Sequence, residues 1–144
     1  MSDRYLPRGW PLPQLDDANR AFFTAGRLMM QRCADCGRVQ HPPIDLCHRC
    51  QSFSFTYEAA TGDGTVANVT IVHHASDPRL LTLVPFNVVL VTPDDHPDVL
   101  VVGNVVGCAN ADITVGAAVR CTFARVTDPE TGETLALPQW ELVS

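Results

Sequence analysis

The chain has 144 residues, 46% of them hydrophobic, and a formal net charge of −6 at pH 7. That length holds one ordinary domain, or a minimal module joined to a larger one, and the apolar content supports a core, which excludes wholesale disorder. A protein that grips nucleic acid by bulk electrostatics carries the opposite sign, and no apolar run approaches the ~20 residues that span a bilayer.

Charge is unevenly placed. Residues 1–50 hold seven Arg against five Asp, a balance of +2; residues 51–144 hold three Arg against eleven acids, a balance of −8. A mildly basic head on an acidic body suggests two modules. The opening stretch "MSDRYLPRGWPLPQLDD" has no apolar h-region. The expectation is therefore the cytoplasm, where thiols stay reduced.

Residues 1–26 read as an arm and a short amphipathic helix. Asp16 or Asp17 is placed to cap it, Ala18, Ala21, Phe22 and Ala25 form its apolar stripe, and Gly26 ends it. Phe22 and Phe23 are adjacent, so they do not share one face. Either both are buried, or one packs on the next module and the other meets a partner.

Residues 27–58 carry "CADCGRVQHPPIDLCHRC", in which Cys33, Cys36, Cys47 and Cys50 form two CxxC pairs. Each pair puts two sulfurs on one tight turn, within reach of a single ion at ~2.3 Å, and the residues between are long enough for a strand out and back. Gly37 follows the first pair where the chain turns sharply, and Pro42-Pro43 ends the outgoing strand. A thioredoxin-type redox site uses one CxxC, not two. The expectation is one structural Zn2+ per chain in a rubredoxin-like ribbon, with iron as the alternative. His41 and His48 lie close, but four thiolates already fill the shell. A closed shell folds the chain and leaves no position for Lewis-acid chemistry. Arg32, Arg38 and Arg49 flank the ligands and would offset part of their charge.

Residues 59–144 change to period two. Counting from 53–60, which alternates cleanly just ahead of this boundary, the segments 64–74, 81–93, 98–107, 117–128 and 133–143 follow, separated by turn signals such as "DDHPD" and "PETG". Five or six strands in this length suggest a small closed barrel of OB-fold size. The fold class is thus mainly β: an N-terminal helix and zinc ribbon, then a C-terminal OB-fold barrel.

A family resemblance rests on the order of these motifs: a Phe-rich helix, "GRLMMQRCADCGRVQHPP", a second CxxC, "GDGTVANVTIVHH", "DITVGAAVRCTF" and a terminal "LPQWEL". The chain resembles the zinc-ribbon/OB-fold proteins called domain of unknown function 35, associated with acyl-CoA metabolism. The family pattern has PPR and CPxC where this chain has Pro42-Pro43-Ile44 and Cys47-His48-Arg49-Cys50. Arg38 or Arg49 is the candidate to replace that arginine.

The residues themselves carry no GxSxG, HExxH, Walker or Rossmann motif. Cys108 and Cys121 sit in apolar β contexts and read as small buried hydrophobes. His73 and His74 point to opposite sides of a strand and do not act together on one substrate. The resemblance implies a non-catalytic partner of a thiolase-superfamily enzyme (an acyl-CoA acetyltransferase, thiolase or steroid side-chain aldolase) that helps present the CoA ester. Arg27, Arg32, Arg38 and Arg49 are the candidate CoA contacts, because Arg binds phosphate bidentately. The rival classes are an OB-fold single-stranded nucleic-acid binder, opposed by the acidic body, and a stand-alone acyl-CoA enzyme.

Overall fold

The computed structural model describes Gly9 and residues 11–143. A five-residue helix α1 (Arg20–Thr24) is followed by β1 (Met29–Cys33), β2 (Val39–Gln40) and β3 (Phe55–Ala59), which form an antiparallel sheet of order β2-β1-β3. A second sheet has order β6-β5-β4-β7-β8, built from β4 (Asp63–Val72), β5 (Phe86–Pro93), β6 (Val101–Gly103), β7 (Ala118–Thr127) and β8 (Thr134–Leu142). Segment 53–60, which alternates like the barrel strands, pairs with β1 and belongs to the ribbon.

The helix is shorter than its apolar stripe suggests. Asn19 is its N-cap residue, and Asp16 acts one turn earlier: its Oδ1 accepts from the Asn19 amide at 2.7 Å while Asn19 Oδ1 accepts from the Asp16 amide at 2.8 Å. That reciprocal pair satisfies two donors the chain would otherwise leave open. Gly26, at φ +67, turns the chain out of the helix. Phe22 is buried against His41 of the ribbon, with ring centroids 4.8 Å apart, and half-buried Phe23 packs edge-on to Phe22 at 5.0 Å.

In the large sheet β4 is the hinge. A bulge between Val66 and Asn68 bends it, so that residues 63–65 pair with β7 while the strand runs along β5 through Val72. Gly64 is required there, because a Cβ would lie 2.6 Å from Val91 Cγ1 and 3.0 Å from the Thr92 carbonyl. The ladder itself does not close. Its edges are joined by one parallel bridge, Val105 with Trp140, where the Val106 amide donates to Trp140 O at 2.8 Å and the Trp140 amide to Asn104 O at 2.9 Å.

Trp140, fully buried, anchors the core with Val66, Val89, Val91, Val101, Val105 and Val119. The same cluster includes Phe22, Leu28 and Met30. The ribbon and the barrel therefore share one hydrophobic core. A second cluster, Ala124, Val126, Leu135 and Leu137, covers the far half of the β7–β8 hairpin and is roofed by Leu12, Leu15 and Phe23. Leu135 and Leu137 lie under that roof, and Ala136, on the opposite face of the strand, is buried as well, so burial runs through three successive residues instead of alternating.

Candidate functional site

The two CxxC turns are near-copies of each other. In the first, the Gly37 amide donates to Cys33 O at 3.0 Å and the Cys33 amide to Arg38 O at 2.8 Å; in the second, Gln51 donates to Cys47 O at 2.9 Å and Cys47 to Ser52 O at 2.9 Å. Both turns end in left-handed backbone, at Gly37 (φ 79) and at Gln51 (φ 63). Backbone amides point at the sulfurs as well: Cys36 N lies 3.4 Å from Cys33 Sγ, and Arg49 N lies 3.4 Å from Cys47 Sγ.

The four sulfurs converge. Cys33 Sγ and Cys50 Sγ are 3.5 Å apart, Cys36 Sγ and Cys47 Sγ are 3.6 Å apart, and all four lie within 4.8 Å of one another. A tetrahedron with metal–sulfur bonds of about 2.3 Å has edges of about 3.8 Å, so the set fits a tetrathiolate site. The Cys50 and Arg49 amides draw the Cys47 thiol down to about 6, against the opposing effect of burial. Cys33 is lowered mainly by the Cys36 amide. Thiols so close surrender their protons together only to a cation.

A buried polar network holds the loop between the two turns. Gln31 Oε1 accepts from the Ile44 amide at 3.1 Å and from Gln40 Nε2 at 2.9 Å, while Gln31 Nε2 donates to Ile44 O at 2.7 Å. Gln40 Oε1 in turn accepts from the His48 amide at 3.3 Å. Tyr57 ties the ribbon to the segment leading into the helix by donating to Ala18 O at 2.8 Å. His41, against Phe22, is lowered to about 4 by burial and remains neutral, and His48 is exposed; neither joins the sulfurs.

The four candidate arginines separate into three situations. Arg32 is committed: its guanidinium pairs with Glu58 and donates to Gly37 O at 2.6 Å. Arg38 and Arg49 are exposed, have no ion-pair partner among the described residues, and line one groove of about 560 Å³ with Arg32, His96, Asp95 and Asp98. Arg27 is exposed and stands outside that groove. Nothing in the local sequence marks Glu58 or His96, yet they join the ribbon to the barrel: His96 Nε2 lies 3.1 Å from Glu58 Oε2. Arg32 and then His96 hold the Glu58 carboxyl down to about 2.

The remaining candidates stay apart. His73 and His74 are exposed just beyond the end of β4. Cys108 and Cys121 are half-buried, and burial raises the thiol of Cys121 to about 12. Among the described residues no helix is long and apolar enough to cross a membrane.

Fold and site together define a zinc-ribbon protein with an OB-fold body. Residues 23–56 match the family described as "ChsH2, rubredoxin-like zinc ribbon domain" and residues 57–124 match "ChsH2, C-terminal OB-fold domain". The chain belongs to this ChsH2/DUF35 family. It is 32% identical to a chain of a solved structure titled "Ltp2-ChsH2(DUF35) aldolase", covering 91% of this chain and 98% of that one with a TM-score of 0.71. A DUF35-family protein of unknown function from Sulfolobus solfataricus shares the fold at 17% identity and a TM-score of 0.53, over 83% of this chain and 78% of that one. A probable enoyl-CoA hydratase alpha subunit from Thermomonospora curvata is 33% identical over 123 residues, which are 83% of this chain and 37% of that protein. The chain thus matches little more than a third of that curated relative's length.

Proposed function

We propose that the protein is a non-catalytic accessory subunit that docks a thiolase-superfamily enzyme and helps hold its acyl-CoA substrate. The observation that carries this reading is the match to 98% of one chain of an aldolase that bears both the Ltp2 and ChsH2 names. The relative named as an enoyl-CoA hydratase subunit supports an acyl-CoA setting. The perturbed acids serve internal ties: Glu58 holds Arg32 and His96, and Asp77 holds Arg79. The chemistry is assigned to the partner, and the cytoplasm is the setting in which the four thiols stay reduced for metal.

The metal is proposed to be zinc, in a structural role, bound by Cys33, Cys36, Cys47 and Cys50. A closed four-thiolate shell contributes folding energy and offers no open position to a substrate. The CoA phosphates are placed at Arg38 and Arg49, with Arg32 fixing the wall of their groove and Arg27 as the outlying fourth candidate. Uncommitted guanidinium groups suit this role because each can give a phosphate two parallel hydrogen bonds.

Co-expression with a thiolase-like partner tests the reading. The isolated chain should turn over no acyl-CoA ester, and the partner should lose activity or solubility without it. Arg38→Glu or Arg49→Glu should raise the apparent KM of the complex about tenfold, the loss of one charge-assisted contact. Turnover by the chain alone, or a fully active and soluble partner without it, rejects the proposal.

A further inference from the structure

The ribbon sheet has a second face, turned away from the arginine groove. Register places Arg32 opposite Thr56 and Met30 opposite Glu58, so those side chains share one face; Gln31 opposite Tyr57 and Cys33 opposite Phe55 define the other. On that other face Phe53, Phe55 and Tyr57 follow at every second residue. With Asp16, Asp17, Ala18 and Asp45 they line a groove of about 440 Å³.

Three features of this groove point to a ligand class. Phe53 is 78% exposed, the most exposed large hydrophobic side chain among the described residues. Asp17 and Asp45 are exposed and have no hydrogen-bond or ion-pair partner among the described residues, while Asp16 spends one oxygen on Asn19. Tyr57 is pinned by Ala18 O and by Gln31 Nε2 at 3.2 Å, so the floor is fixed before anything binds. Aromatic faces with a carboxylate rim attract a guanidinium or ammonium group through the ring quadrupole and the acids together. β3 is also the edge strand of its sheet, which lets an extended segment lie along it.

We infer that this groove docks an extended, arginine- or lysine-bearing segment of a partner protein. The inference does not depend on the acyl-CoA reading, because it uses the opposite face of the ribbon and none of the four candidate arginines.

The test is an NMR titration of the isotope-labelled, metal-loaded full chain at low ionic strength. The probe is a short peptide alternating arginine and valine, with its citrulline counterpart as the uncharged control. Amide shifts should concentrate on residues 16–18, 45 and 53–57, and the citrulline peptide should leave them unmoved. Phe53→Ser should weaken binding about fivefold, the loss of one exposed cation–aromatic contact. The pair Asp17→Asn with Asp45→Asn should weaken it at least as much, while Glu130→Gln on the far hairpin should change nothing. Shifts centred on the acidic segments 94–98 or 128–133, no shifts at all, or undiminished binding by Phe53→Ser would overturn the inference. So would equal binding of spermine, which would make the groove a polyamine site. Tighter binding after removal of residues 1–8, which carry Arg4 and Arg8, would also overturn it, by making the chain's own arm the occupant.

Discussion

The Nε2 of His96 lies 3.1 Å from the carboxylate of Glu58, which on its other side grips Arg32. One acid at the end of the ribbon's last strand thus ties the metal-binding module to a loop of the barrel. Glu58→Gln keeps the shape and removes the charge. At pH 7 the variant should lose about 1 kcal/mol, since the group is partly exposed and solvent screens it. The Glu58 carboxyl is held at about 2, below its ordinary value of 4.5. Its contribution is therefore complete above about pH 5 and disappears as pH falls through the folded-state value. Urea midpoints of wild type and variant should differ at pH 7 and converge toward pH 2; a constant gap would contradict the assignment.

Gln51 occupies left-handed backbone where its counterpart in the first turn is Gly37. A non-glycine residue there costs about 1–2 kcal/mol, partly offset because glycine loses more entropy on folding. Gln51→Gly should raise stability by about 0.5–1 kcal/mol, and Gly37→Gln should lower it by a similar amount. Thermal melts of the metal-loaded variants measure both, and a destabilised Gln51→Gly would refute the pairing of the two turns.

Elemental analysis of native protein should find about one zinc per chain and no visible iron chromophore, in keeping with a closed tetrathiolate site. Cys47→Ser should cost several kcal/mol, because metal binding and folding are one equilibrium here. A strong chelator should abolish native near-ultraviolet dichroism in the wild type as well.

Gly64→Ala brings a Cβ to 2.6 Å from Val91 Cγ1 and 3.0 Å from a backbone oxygen. Overpacking of this kind costs about 1–3 kcal/mol, and the backbone contact removes the cheaper ways to relax. Gly9→Ala would be a poor control because φ is positive there, so Ser76→Ala, at an exposed loop position, is the reference. Chemical denaturation of the two variants decides the matter.

What the sequence made legible is local. The cysteine pairs are readable because two residues between sulfurs fix a turn, and β5 is readable because its burial alternates without a break. Adjacency alone does not decide between the two fates of Phe22 and Phe23; the fold packs both on the core, one fully and one half-buried. Glu58 and His96 were invisible because 38 residues separate them and neither sits in a pattern. Gln31 and Gln40 were equally silent: two neutral amides look like ordinary surface residues until Ile44 and Leu46 fold back over them. Arg32 looked as available as Arg38, and only Glu58 sets it apart. That the ladder stays open, its edges joined by a single bridge at Val105, could not be read from strand counts, which are the same for an open and a closed ladder.

Met30, in the ribbon's central strand, belongs to the same core as Trp140. The thiolate site therefore does not govern only its own loops. A chain synthesised under metal starvation would leave one wall of the barrel core unfinished and apolar surface open to proteases and chaperones. Cellular abundance of the protein then follows the supply of the ion that Cys33, Cys36, Cys47 and Cys50 are placed to hold.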